Sequence, residues 1–168
     1  MIESAVVSEN GRARELGVLT ILSMRAGDYV PPRVREVLDL KEEDWCLVMH
    51  LEDKVKRNTK REILLAFRDS FRQVASYLQE CRLVPRYILG ITHERLVHAA
   101  GLFGFKSLVV DPSELPKDEI DRINNGYKLT ASYQKEKPIG DYLVCYQPLE
   151  GFIRRFAGEP QSQSAILG

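Results

Sequence analysis

The sequence has few features of exported or membrane-spanning proteins. Its three cysteines, Cys46, Cys81 and Cys145, are odd in number, far apart and set in apolar stretches, which is typical of reduced core cysteines and not of a disulfide framework. The amino terminus carries acidic residues but no basic segment followed by an apolar one, so no export signal is expected. No run reaches the ~20 apolar residues of a spanning helix. We predict a cytoplasmic protein with no membrane partner.

The chain also lacks a net charge. Lysine plus arginine equals aspartate plus glutamate at 24 each, so the chain as a whole offers no electrostatic attraction to nucleic acid. Any affinity for anions must be local. We expect a small-molecule ligand and no nucleic-acid partner.

Motifs of metal and nucleophile chemistry are missing. His93 and His98 are separated by about 500° of helical rotation, so they do not share a face as a zinc-binding pair would. No Gly-x-Ser-x-Gly motif and no Gly-rich phosphate loop occurs. We expect neither a metal site nor a serine nucleophile.

Hydrophobic periodicity predicts an α/β domain with a mixed sheet and crossover helices. Strands are expected at residues 4–8, 17–24, 45–51, 87–91, 106–111 and 142–146. The first two are predicted to form a hairpin whose connection contains Asn10-Gly11 and residues 12–15. The alternation of strands and helices in the middle predicts parallel neighbours with right-handed crossovers. A single domain is expected over residues 1–156, with a flexible tail over 157–168.

The clearest helix is predicted after the strand at 45–51. Thr59 and Glu62 have the spacing of a capping box. Apolar residues then recur at helical spacing, namely Ile63, Phe67, Phe71, Val74, Leu78 and Cys81. Two shorter helices are predicted, one with Thr92 as its N-cap and one that starts near Pro116 and stops at Asn125-Gly126.

The largest local departure from charge balance lies just before this helix. Five cations crowd together there: Lys54, Lys56, Arg57, Lys60 and Arg61. Cations beside the free amides of a helix N-terminus suit a phosphate or pyrophosphate. The alternative is a solvated basic loop whose charge is balanced by Glu52, Asp53 and Glu62. The sequence leaves both interpretations open.

This region resembles the GCN5-related N-acetyltransferases (GNAT family). Residues 47–53, the basic turn and the helix from Lys60 are similar to that family's fourth strand, pyrophosphate loop and third helix. Residues 88–106 are similar to its fifth strand, fourth helix and LGF turn into the sixth strand, and residues 142–149 to its final strand. The resemblance implies a GNAT-like fold with a shortened amino-terminal part and a V-shaped cleft for the pantetheine arm of the coenzyme. A looser resemblance to bacterial YkoP-like proteins implies no function.

The resemblance implies a cofactor, acetyl-CoA or another acyl-CoA, and a set of contacts. The expected cofactor-binding residues are Met49, Leu51, Lys56, Arg57, Asn58, Thr59, Lys60 and Arg61. Two departures stand out. The loop has no glycine where the family has Gly-x-Gly/Ala, and Ala100 falls where the family often has a general-acid tyrosine.

Acyl transfer to an amine needs a base, and the candidates at the end of the central strand are His50, Glu52 and Asp53. His50 is preferred because a neutral imidazole accepts a proton near neutral pH. The alternative is a hydrogen-bonded core or rim histidine on the strand face of Cys46 and Val48. The first functional hypothesis is an N-acyltransferase of unknown acceptor that binds an acyl-CoA or a related phosphorylated ligand, and the second is a non-catalytic binding module of the same fold. The third is a nucleic-acid contact through the basic turn, which the neutral overall charge argues against. A homodimer is compatible with the first two.

Overall fold

The computed structural model describes residues 13–51, 59–81, 85–130 and 140–157. Within these ranges the strands are β1 (Arg14–Leu16), β2 (Leu19–Arg25), β3 (Trp45–Leu51), β4 (Tyr87–His93), β5 (Lys106–Val110) and β6 (Tyr142–Pro148). They form one sheet in the order β1-β2-β3-β4-β6-β5. The β3–β4 pair is parallel and the other neighbours are antiparallel. The predicted α/β class with a mixed sheet is confirmed.

Helices cover both faces of this sheet. They are α1 (Ala26–Tyr29), α2 (Pro32–Leu38), α3 (Lys60–Gln79), α4 (Val97–Leu102), α5 (Lys117–Thr130) and α6 (Leu149–Phe156). On one face α3 and α6 contribute to a core that contains Phe71, Leu78 and Phe152. On the other face α1, α2 and α5 contribute to a second core that contains Val34 and Ile123. Across the described ranges, no helix combines the length and apolar character needed to cross a bilayer.

Helix α3 has the predicted start and the predicted buried face. The Glu62 amide donates to Thr59 Oγ1 at 3.2 Å, and the Thr59 amide donates to Glu62 Oε1 at 3.0 Å. These two bonds satisfy donors that the first turn of a helix leaves without a partner. Phe67 and Val74 are buried, whereas Arg68 is exposed. The capping box and the amphipathic pattern are therefore confirmed.

The amino-terminal hairpin turns at a different place from the predicted one. Arg14–Leu16 is a strand and not part of the connection, and the chain reverses at Gly17-Val18 to pair Leu16 with Leu19. Gly17 adopts φ +64°, and the Val18 amide donates to Ser70 Oγ of α3 at 2.8 Å. The turn is thus fixed by a tertiary contact that the local sequence does not reveal. Residues 4–8 and Asn10-Gly11 lie outside the described residues.

We expect Gly17→Ala to lower the free energy of unfolding by about 1–3 kcal/mol, since it adds a left-handed strain and a clash. A Cβ at this position would lie 2.2 Å from Ser70 Oγ. Gly101→Ala in α4 is the matched control, because its Cβ would meet nothing within 4 Å. Urea unfolding measures both variants, and equal stabilities for the two would contradict this reading of the turn.

Two further element boundaries and one whole helix differ from the predictions. Thr92 is not an N-cap, because β4 continues to His93 through its pairing with β6. Helix α5 runs through Asn125-Gly126 to Thr130. Helix α6 follows β6 without a predicted counterpart. Gly104 adopts φ +93° after α4, the left-handed conformation that favours glycine at a helix stop. Of the predicted tail, Ala157 is buried and the remainder lies outside the described residues.

Candidate functional site

The parallel ladder between β3 and β4 is much shorter than the strands. It contains two pairs, Leu47 with Ile88 and Val48 with Leu89, although each strand has seven residues. Beyond these pairs β3 remains paired with β2 and β4 remains paired with β6. Beyond residue 48 of β3 and residue 89 of β4, each central strand therefore pairs with its outer neighbour and not with the other central strand. We call this opening, between residues 49–51 of β3 and 90–93 of β4, the fork.

Gly90 marks the base of the fork. A Cβ at Gly90 would lie 2.9 Å from the carbonyl oxygen of Met49, so the two backbones are still in close contact there. The small residue permits this approach. The opening thus begins at this position.

Tyr29 of α1 reaches the fork from the face that α1, α2 and α5 cover. The Ile91 amide lies two residues beyond the last parallel pair, and it donates to Tyr29 Oη at 3.1 Å. The phenol in turn donates to Glu119 Oε1 at 3.1 Å. Burial and the neighbouring Glu119 carboxylate both raise the pKa of Tyr29 well above its usual range. The phenol therefore stays protonated. It accepts the hydrogen bond of the Ile91 amide, which lies beyond the end of the β3–β4 ladder.

Glu119 of α5 is a buried carboxylate held by several donors. Arg122, one turn further along α5, donates from Nη2 to Oε1 at 2.7 Å and from Nε to Oε2 at 3.4 Å. Burial alone would raise the pKa of Glu119, but the interactions with His50 and Arg122 outweigh it and lower the pKa to about 2. Glu119 is consequently an anion throughout the neutral pH range.

His50 of β3 faces this carboxylate. His50 Nε2 lies 3.2 Å from Glu119 Oε2, and the two side chains are 20% and 11% exposed. The N–H direction is not aligned with the oxygen, and no described residue offers Nε2 an aligned acceptor. The distance lies at the upper end of the range for a hydrogen bond. His50, Glu119, Arg122 and Tyr29 thus form one polar cluster beside the fork.

The predicted site residues fall into separate groups. Met49 and Leu51 are half-buried against the α3 core, on the opposite face of β3 from His50. Arg61 is exposed on the first turn of α3, and Lys60 is the first residue of that helix. Other predicted residues lie outside the described ranges, namely Glu52, Lys56, Arg57 and Asn58. The structure thus brings His50, Met49 and Leu51 to the fork and leaves the basic turn undescribed.

The carboxylate of Glu62 lies at the N-terminus of α3. The hydroxyl and amide of Thr59 and the amide of Glu62 are engaged in the capping box. The hydrogen bond from the Thr59 amide lowers the pKa of Glu62, so this side chain is a carboxylate at the end of the helix that attracts negative charge. A phosphate bound here would depend on donors other than these two amides.

Tyr29, Glu119 and Arg122 were not among the predicted site residues. One signal for Glu119 was present in the sequence, since it precedes the inward-facing Ile123 by four positions and so shares its helix face. A charged residue on a buried face needs a partner. Tyr29 carried no such signal, because its partners are distant in the sequence.

No group of three or more histidine, cysteine, aspartate or glutamate side chains in the described part of the chain could hold a metal ion. Comparison of the sequence and structure with protein-family models, curated proteins and solved structures found no match.

Proposed function

We propose that this chain has a GNAT-like fold, binds an acyl-CoA or a related phosphorylated ligand with the acyl arm in the fork, and transfers the acyl group to an amine. The observation that carries the proposal is the early end of the β3–β4 ladder. Backbone groups of β3 beyond Val48 can pair with an extended ligand as they would with an added strand, whereas the Ile91 amide of β4 is already bound by Tyr29. The sequence resemblance implies a cleft between the same two strands, and the fork supports it.

His50 is the proposed general base, and Glu52 is the second candidate. The amine nitrogen attacks the thioester carbonyl, a C–N bond forms and the C–S bond breaks. The proton of the amine passes to His50 and then to the departing thiolate, which leaves as a thiol. His50 returns to its neutral form, so the step needs no further reactant. A positioned base of this kind contributes roughly a hundredfold or more to the rate.

A second candidate is a binding module without catalysis. It is favoured by the N-terminus of α3, where the carboxylate of Glu62 accepts the hydrogen bond of the Thr59 amide. This amide is therefore not available to an anionic ligand. In this case the polar cluster beside the fork would stabilise the separated strands and have no chemical role. The alternative predicts ligand binding with no turnover.

We expect acetyl-CoA at one hundred times its dissociation constant to stabilise the chain by ~2.7 kcal/mol in a thermal-shift measurement. Inorganic phosphate and a short oligonucleotide at equal concentration are the comparison ligands. The double variant Arg57→Ala, Lys60→Ala should lose the shift. The matched control is Arg68→Ala, Arg72→Ala, which removes two exposed cations further along α3 and should retain it.

The absence of any shift with acetyl-CoA up to millimolar concentration would remove the proposal. A shift that survives in the Arg57→Ala, Lys60→Ala variant would place the phosphate site elsewhere. Turnover of acetyl-CoA with a panel of amines then separates the two candidates, because the binding module shifts without consuming the thioester.

A further inference from the structure

The polar cluster beside the fork defines which nitrogen of His50 carries its proton. A neutral imidazole has one N–H donor and one lone pair. His50 Nε2 lies 3.2 Å from Glu119 Oε2, and a lone pair directed at an ionised carboxylate at this distance would be repelled. The proton therefore belongs on Nε2, and the lone pair belongs on Nδ1.

From this geometry we infer that Glu119 is a positioning residue for His50. Its carboxylate holds the proton on Nε2, so that Nδ1 is the atom that accepts the proton of the amine. The use of that lone pair rests on the proposed function, whereas the assignment of the tautomer rests on the contact between the two side chains. No substrate contact by Glu119 is required.

Glu119 can fill this role because it is itself held in place. Arg122 binds both carboxylate oxygens, and Tyr29 donates to Oε1 from a different helix. Tyr29 also accepts from the β4 backbone, so the position of the carboxylate is linked to both strands of the fork. The guanidinium of Arg122 balances the carboxylate charge, which limits the cost of burying it.

The contact between His50 and Glu119 has the distance of a hydrogen bond but not its alignment. Hydrogen bonds of a catalytic base are often long or poorly aligned before the substrate is in place. The positioning contact is thus expected to tighten on binding.

Nitrogen-15 NMR of the histidine side chains tests the inference without a ligand or an activity assay. We expect wild-type His50 to show a protonated Nε2 and an unprotonated Nδ1, with the resonances assigned by loss in His50→Gln. Glu119→Gln should populate both tautomers, since an amide can donate as well as accept. Asp118→Asn, an exposed neighbour on α5, is the matched control and should leave the spectrum unchanged.

Two results would overturn the inference: a wild-type His50 with its proton on Nδ1, or a Glu119→Gln spectrum that equals the wild type. Once an amine substrate is found, Glu119→Gln should lower kcat by about tenfold or more and leave the KM for acetyl-CoA within about twofold. An Nε2–H signature together with no thermal shift by acetyl-CoA would overturn the proposed function and support the assigned tautomer.

Discussion

Replacing Phe152 with alanine should lower the free energy of unfolding by about 3–5 kcal/mol. Phe152 is fully buried, and its ring centroid lies 5.7 Å from that of Phe71 and 5.0 Å from that of Phe156. Truncation removes the apolar contact area and leaves a cavity that rigid neighbours cannot fill. Because these rings connect α6 to α3, the substitution should weaken the packing of both helices on that face of the sheet.

Urea unfolding followed by circular dichroism measures this effect. Leu65→Ala is the matched control, because Leu65 is 39% exposed on α3 and should change stability by about 0.5 kcal/mol or less. A Phe152→Ala variant as stable as the control would mean that α6 does not pack against α3 in solution. The core on that face would then need a different closing element.

Acidification should remove a stabilising contribution of Glu119 of about 3 kcal/mol. The pKa of Glu119 is lowered in the folded chain from 4.5 to about 2, and each pKa unit corresponds to about 1.4 kcal/mol. A carboxyl group with a lowered pKa stabilises the folded state fully above its unfolded value. The contribution is therefore complete above about pH 4.5 and is lost as the pH falls toward 2.

The difference in unfolding free energy between wild type and Glu119→Gln isolates this contribution from that of other carboxylates. It should be largest at pH 7 and shrink by about 3 kcal/mol by pH 2. Glu114→Gln is the matched control, since Glu114 is exposed just before α5 and the substitution removes a carboxylate outside the polar cluster. A Glu119→Gln difference that is constant with pH would show that His50 and Arg122 do not stabilise the carboxylate.

Local sequence signals predicted the elements whose structure is determined locally. The central strand at 45–51 was predicted with its observed bounds because a continuous apolar run is buried on both faces. Helix α3 was predicted because its cap and its apolar stripe both lie within the helix. The mixed sheet followed from the alternation of such elements along the chain.

Tertiary contacts determined the features that sequence reasoning missed. Gly17 turns where Ser70 of α3 offers its hydroxyl, whereas the local pattern favoured Asn10-Gly11. Helix α6 directly follows β6, so the sequence has no turn between them that would indicate the start of a helix. The polar cluster joins side chains of β3, α1 and α5, and neither spacing nor composition reveals such a meeting. His50 could be predicted as a candidate, but its carboxylate partner could not.

The order of strands in the sheet has a consequence for synthesis of the chain. Of the strands in the described residues, β6 is the last to be made, yet it lies between β4 and β5 and is the sheet neighbour of β5. On the ribosome, β5 must wait for residues 142–148 before its backbone can enter the sheet. Until then β4 and β5 both present open edges, which are sites for wrong pairing with other chains. Completion of this half of the sheet is thus a late event that depends on the carboxyl-terminal part of the chain.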